Sequence, residues 1–290
     1  MLVFNKVKLI IFYLSRMGKS MIHPIILQGL FFIISILITG CATTSYTERS
    51  QLLLIPACVE EALGSELTSS LLEKEKIEKD SKFSQKVNEI GKRIAEVLPE
   101  SGYEWHFYTI NDDTVNAFAV PGGSVFVYRG ILQVAKTEEQ LAAIMGHEIT
   151  HVILRHGSER MSQALLLQIG GNVGAAAIDK YGKSSHAEIF RQVYGAVSAV
   201  GILLPYSREH EYEADHVGIF LMADAGYDPQ ESIQLWKNFS LLDKKSIPEF
   251  LSTHPVNESR ILALEKIMPE AIIRFEKSGG KPGPTPLGKL

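Results

Sequence analysis

Thr137-Glu-Glu-Gln140-Leu-Ala-Ala-Ile-Met-Gly146-His147-Glu148-Ile149-Thr150-His151-Val-Ile-Leu154 is the stretch on which the reading of this chain turns. Thr137 with Gln140 three residues on is a helix start of the capping-box kind. The helix it opens carries Ala142, Ala143, Ile144, Met145, Ile149, Val152 and Ile153, and an apolar surface that wide is buried. Two histidines and a glutamate set into such a helix need partners, because an unpaired polar group loses its hydration on burial. His147 and His151 are four apart, so they share a face and both imidazoles can reach a single ion. Glu148 points to a neighbouring face, from which it can reach a water on the ion's open position and act as general base.

A catalytic zinc takes three protein ligands and leaves one position open. Where a metzincin continues with a glycine and a third histidine, this chain has Leu154 and Gly157. His156, five residues past His151, is expected to turn away from the ligand face as a surface or core histidine. The third ligand is sought further along, in Ser207-Arg-Glu-His210-Glu211-Tyr-Glu213-Ala-Asp215-His-Val-Gly218. Glu211 and Asp215 are four apart and share a helix face. One carboxylate can ligate while the other accepts the free N–H of a ligand histidine. Glu213 lies about 200° around the helix from Glu211, so the two cannot ligate together.

The rest of the chain is ordinary in composition. Its 290 residues allow one large domain or two small ones, with core enough to fold without disulfides. Hydrophobic residues at 46% and charged residues at 21% exclude wholesale disorder and a polytopic membrane protein. A formal charge of −4 excludes a polybasic nucleic-acid binder, and no nucleic-acid partner is expected. Two cysteines, Cys41 and Cys58, provide neither a disulfide framework nor a cysteine-based zinc knuckle.

Helical spacing runs from about Ser65 to Val97, through Leu67, Leu71, Leu72, Phe83, Val87, Ile90 and Ile94, with the charge run Glu73 to Lys82 read as a solvated face. Three strand-like runs follow, Glu104–Ile110, Val115–Val120 and Ser124–Tyr128, with turns at 111–113 and 121–123. Helices dominate from Thr137 to about Met268, without internal repeats. The expected fold class is α+β, mainly α: a His-Glu-x-x-His helix, a small sheet and covering helices. The apolar stretches Gln163–Ile178 and Val193–Tyr206 are short for spanning a membrane and read as such covering helices. Residues 277–290, rich in Gly and Pro, read as a disordered tail.

The pair of motifs, HExxH at 147–151 and SRxxExEAD at 207–215, resembles the gluzincin zinc metallopeptidases of the HtpX and CAAX-protease type, metallopeptidase family forty-eight. Within it, the soluble bacterial lipoprotein branch without a repeat domain is the nearest match. The resemblance runs from about Tyr46 to Ile273 and includes Thr47-Glu-Arg-Ser-Gln-Leu52, Asn116-Ala-Phe-Ala-Val-Pro-Gly-Gly123, Thr253-His254-Pro255 and Arg260-Ile261. It implies a gluzincin core with one Zn2+ per chain on His147, His151 and Glu211, Glu148 as catalytic base, and Asp215 behind a ligand histidine. Family members can carry glutamine at the middle acid of ExEAD, which favours Glu211 over Glu213 as ligand. The resemblance also makes Asn116, Ala117, Phe118 and Ala119 an edge strand, able to take an extended polypeptide by strand addition. His254 becomes a fourth ligand of a closed state or a stabiliser of the oxyanion, a role Arg260 could share. The activity it implies is hydrolysis of peptide bonds in misfolded or unassembled cell-envelope proteins. The alternative is a periplasmic chaperone or assembly factor with a latent metal site.

Residues 1–40 read as a signal peptide: Lys6, Lys8, Arg16 and Lys19 without an acid, then an apolar run from Ile25 to Ile38. Met17 and Met21 are alternative starts of more usual signal length. Leu37-Ile-Thr-Gly-Cys41 resembles a bacterial lipobox, which implies cleavage before Cys41 and lipid on its thiol. Ala42, in place of an inner-membrane retention aspartate, points to the periplasmic face of the outer membrane, with its assembly machinery as a partner. Cleavage would take the formal charge from −4 to −8. The expected domains are then the signal 1–40, a lipidated tether 41–64, the metallopeptidase domain 65–276 and the tail 277–290. Cys58 is expected to be a buried bystander.

Overall fold

The computed structural model describes residues 41–99, 102–181, 207–242, 248–255 and 258–288; the side chains of Cys41 and of 169–181 fall outside the description. The expected signal peptide and the whole of the stretch Val193–Tyr206 also lie outside the described residues. The chain divides into two compact units, residues 1–42 and 43–290. Among the described residues no helix is long and apolar enough to cross a membrane.

Two short strands, β1 (Cys41–Thr43) and β2 (Ser50–Leu52), come first, followed by helix α1 (Ala57–Lys74). That helix begins eight residues before the expected Ser65, inside the stretch read as a tether. Its burial is confined to Glu60 and Gly64, while Val59, Leu63 and Leu67 are exposed, so no apolar stripe marks its true start. Cys58, on its first turn, is exposed rather than buried, which corrects the expectation of a core thiol. The helical stretch expected up to Val97 is two helices, parted within the charge run. In the middle of the charge run, Ile77 leaves the helix to pair with Ile110 in strand β3 (Ile77–Glu78). Helix α2 (Lys82–Glu96) then starts on Ser81, whose hydroxyl accepts the Ser84 N–H at 3.0 Å.

Strands β4 (His106–Ile110), β5 (Ala117–Val120) and β6 (Ser124–Tyr128) complete a four-stranded sheet in the order β3-β4-β6-β5. The turn Pro121-Gly122-Gly123 folds β5 back antiparallel on β6, with Ala117 opposite Val127 and Ala119 opposite Val125. Both glycines need positive φ, 92° and 101°, which side chains rarely tolerate. The hairpin places β5 at the sheet edge and leaves β6 to pair parallel with β4. The two-residue period sorts the faces. Phe107, Ala117, Val125 and Val127 join the main core, whereas Phe118 stacks on Phe126 over the opposite face with Ile110 and Val120.

After a 3-10 turn (Arg129–Gln133) come α3 (Glu138–Ile153), α4 (His156–Tyr181), α5 (Arg208–Asp224), α6 (Glu231–Ser240), α7 (Glu249–Thr253) and α8 (Glu258–Lys277). Thr137 caps α3 by accepting the Gln140 N–H at 3.2 Å, while the Gln140 side chain reaches one residue further back, to the Lys136 N–H at 2.8 Å. Helices α3 and α5 touch backbone to backbone. A Cβ on Gly218 would stand 2.9 Å from the His147 nitrogen, and one on Gly146 would stand 2.8 Å from the Gly218 carbonyl. Two glycines thus bring together the helices that carry the two motifs.

The tail is not disordered as far as Gly288. The Glu138 N–H donates to the Thr285 carbonyl at 2.9 Å, the Thr285 N–H to Glu139 at 2.9 Å, and the Leu287 N–H to the Lys136 carbonyl at 3.1 Å. Leu287 is buried in the main core. Its composition shows that the tail cannot build a core of its own, yet the free N–H groups opening α3 give it a surface to complete.

Candidate active site

His147 and His151, one turn apart on α3, aim their Nε2 atoms at a common point and stand 3.1 Å from each other there. From α5, Glu211 brings its carboxylate oxygens to 3.5 Å of both. His254, on the residue that ends α7, adds Nδ1 at 3.1 Å from His147 Nε2 and 3.0 Å from Glu211 Oε1. It is held there by its N–H to the Phe250 carbonyl and by stacking on the buried Phe250 ring, 4.7 Å between centroids. All four side chains are buried, and one ligand atom from each lies within 4.8 Å of the others.

The outward nitrogens are equally occupied. His147 Nδ1 lies 3.1 Å from Asp215, His151 Nδ1 lies 2.9 Å from His156 Nδ1, and His254 Nε2 lies 3.4 Å from Glu148 Oε1. For His147 and His151 these partners favour a proton on the far side of the ring and leave the inner lone pairs converging. Ligands on one tetrahedral ion with bonds near 2.0 Å sit roughly 3.3 Å apart, close to the separations here. Charge points the same way. Three carboxylates, Glu148, Glu211 and Asp215, are buried around the cluster with one guanidinium, Arg260, which pairs with the last two; the formal deficit is one that a divalent cation balances.

Arg260, from α8, organises the acidic side. It donates to both oxygens of Asp215 at 2.7 Å, stands 2.7 Å from Glu211 Oε2, and lies over the Trp236 ring at 4.4 Å. Burial alone would push Asp215 up, but Arg260 outweighs it and holds the carboxyl below its usual range. Burial likewise pushes Glu211 up, and His147 and the hydrogen bonds of the histidines hold it well below. Burial would lower His147, yet Glu211 and Asp215 raise it to about 9. Glu148 is the exception: burial dominates and raises its pKa, and its Oε1 makes no hydrogen bond among the described residues. A backbone hydrogen bond from Ala119 ties Glu148 to the edge strand β5.

The structure therefore brings His147, Glu148, His151, Glu211, Asp215, His254 and Arg260 together, with Ala119 alongside. Asn116 precedes β5 and is buried, and Phe118 faces away from α3. His156 is a core histidine outside the ligand cluster, as expected, but it reaches that place from a second helix. Leu154 ends α3, and Arg155 takes a left-handed turn at φ 56°, so His156 starts a new helix and folds back beneath His151. Arg155 is held by Glu60 at 2.7 Å and the Ile55 carbonyl at 3.1 Å. Those anchors lie about a hundred positions earlier in the sequence and give no local signal.

Residues 81–268 match the model of peptidase family M48. The chain belongs to that family. M48 peptidases are zinc-dependent, and zinc is the cofactor; the cluster of His147, His151, Glu211 and His254 is able to hold one such ion. Over 194 residues, 66% of this chain and 55% of the relative, it is 36% identical to the mitochondrial metalloendopeptidase OMA1 of Schizosaccharomyces pombe. Over 244 residues, 81% of this chain and 46% of the relative, it is 28% identical to the human metalloendopeptidase OMA1. Over 187 residues, 63% and 38%, it is 30% identical to the beta-barrel assembly-enhancing protease of Escherichia coli K12. The chain spans about half or less of the length of these three relatives. They are mitochondrial and bacterial, so the likeness does not by itself select the bacterial lipoprotein branch.

Proposed function

We propose that this chain is a zinc-dependent endopeptidase acting on extended polypeptide. The observation that carries the reading is the buried convergence of His147, His151 and Glu211 with Glu148 facing them beside an edge strand. Zinc, when bound, polarises the scissile carbonyl and lowers the pKa of its bound water. Glu148 takes the proton of the attacking water and returns it to the leaving amine; burial raises its pKa towards the range suited to a base. Asp215 orients His147 and is itself clamped by Arg260. Strand β5, at the edge of the sheet, takes the substrate by strand addition, which selects for segments that can be drawn out straight. Were His254 to join His147, His151 and Glu211 in holding the ion, no position would be left for water, and the arrangement would be a closed form that substrate must open.

The test pairs zinc content with casein cleavage in the purified chain and its Glu148→Gln variant. Zinc in both with cleavage in the parent alone is the expected result, and His254→Ala should raise cleavage. Zinc in both with cleavage in neither, even with His254→Ala, would favour the chaperone reading. Absence of zinc from the parent would remove the metal reading.

The further proposal is a lipid anchor at Cys41 on the periplasmic face of the outer membrane. Misfolded or unassembled envelope proteins are its substrates and the assembly machinery a partner. The lipobox-like Leu37–Cys41 and the name of the Escherichia coli relative support it. The names of the other relatives favour a mitochondrial setting instead. Against that stands the leader, with Arg16 as its lone arginine and a long apolar run, where transit peptides are amphipathic and arginine-rich. Palmitate labelling of a bacterially expressed chain that persists in Cys41→Ser would defeat the anchor.

A further inference from the structure

The two histidines of the HExxH helix are braced differently. Behind His147 stands a carboxylate gripped by a guanidinium; behind His151 stands another histidine. His151 Nδ1 lies 2.9 Å from His156 Nδ1, and His156 Nε2 lies 3.1 Å from Glu213 Oε2. Glu213 accepts from Arg49 Nε at 2.7 Å and from the Thr47 hydroxyl. The other two Arg49 nitrogens donate to Glu159 at 3.0 and 2.6 Å, and Glu159 also lies 2.9 Å from His210 Nε2. The His210 ring stacks on His156, 4.4 Å between centroids. His156, Glu159, His210 and Glu213 are all buried, and only Thr47 and Arg49 are partly exposed.

Donor and acceptor chemistry gives this chain of contacts a direction. A carboxylate only accepts, so Glu213 takes the Nε2–H of His156 and leaves His156 Nδ1 as an acceptor. The proton between the two Nδ1 atoms then belongs to His151, whose Nε2 lone pair is turned to the cluster. A metal-binding histidine needs this tautomer. Arg49 and Thr47, six to eight residues after Cys41, hold Glu213 from the outside.

We propose that His156 and Glu213 are positioning residues that fix the tautomer and orientation of His151, and that Thr47 and Arg49 strap this relay in place. The N-terminal segment thereby completes a zinc site whose ligands all lie about a hundred residues or more downstream. The inference rests on the metal reading above. It separates from it because it concerns how tightly the ion is held, not whether one is bound.

The test measures zinc affinity by competition with a chromophoric chelator, together with the visible spectrum of the cobalt-substituted chain. The full chain in detergent is compared with His156→Ala, Glu213→Ala, Glu213→Gln, Arg49→Lys and Thr47→Val, with melting temperatures recorded alongside. His156→Ala and Glu213→Ala are expected to weaken zinc binding about 10–100-fold and to alter the cobalt spectrum. Glu213→Gln keeps an acceptor for His156 and should recover most of the affinity. A merely structural role would lower melting temperatures and leave affinity and spectrum alone. Affinities within about twofold of the parent, with unchanged cobalt spectra, would overturn the proposal. Should the two alanine variants fail to fold, Thr47→Val and Arg49→Lys decide it, since each touches the relay from a partly exposed position. A several-fold loss supports the strap and no loss overturns it. A parent that binds neither ion overturns this inference and the metal reading together.

Discussion

Arg260→Met tests the charge balance of the site. The guanidinium is 2% exposed and meets Asp215 twice at 2.7 Å, Glu211 at 2.7 Å and the Trp236 ring at 4.4 Å. Removing one partner of a buried ion pair costs about 3–5 kcal/mol, because the other charge is left uncompensated. The lost cation–π contact adds about 1–2 kcal/mol, and the apolar methionine offsets part of it by filling the space. A net loss of about 4 kcal/mol is expected for the zinc-free chain. Arg260→Lys keeps the charge and loses the fork, and should cost about 1–2 kcal/mol. The assay is urea denaturation followed by tryptophan fluorescence, with chelator present, at a series of pH values. Asp215 and Glu211 both titrate below their ordinary range in the folded chain, so the stability they contribute is present above the unfolded carboxylate pKa and is lost as pH falls below it. The gap between parent and Arg260→Met should therefore be widest near neutrality and narrow below about pH 4. A methionine variant within about 1 kcal/mol of the parent at pH 7 would refute the charge argument, as would equal losses for methionine and lysine.

Gly218→Ala forces a methyl group to 2.9 Å of the His147 nitrogen and should cost about 2–3 kcal/mol in urea denaturation and weaken zinc binding; a neutral change would mean the helices separate freely. Glu159 titrates at about 2 in the folded chain: burial pushes it up, and hydrogen bonds from His210 and Arg49 outweigh that. Its contribution is thus present above pH 4.5 and lost between there and 2, so acid titration of Glu159→Gln should show a shallower fall over that window than the parent. Deleting residues 283–290 removes the tail's bonds to Lys136, Glu138, Glu139 and Asp228 and should cost about 1–3 kcal/mol; an unchanged melting temperature would return the tail to disorder.

What could be read in the sequence was local. Helix α3 announces itself through Thr137 and an apolar run in which polar residues need an explanation, and α5 through carboxylates four apart after Ser207. Three strands and their turns were legible because alternation and paired glycines act over a few residues. Contacts between distant segments were not. His156 was placed by extrapolating a helix that stops at Leu154, and the residue that turns the chain is an arginine without the glycine or asparagine that would signal such a turn. The start of α1 left no amphipathic trace, and the tail's order depends on groups supplied by α3. The helix angle kept Glu211 and Glu213 from ligating together, and the family resemblance favoured Glu211. The bond of Glu213 to His156, from 57 positions away, could not be read from spacing.

The crossing of α3 and α5 at Gly146 and Gly218 makes two sides of the metal site behave as the fixed jaw of a vice. Main chain meets main chain there, so no resizing of side chains at the crossing can bring His147 and Glu211 closer together. His254 rides on a five-residue helix anchored through Phe250, and forms the jaw with travel. Efforts to retune the site for a larger ion, or to prop it open, therefore have one productive place to act, and it is the packing beneath Phe250.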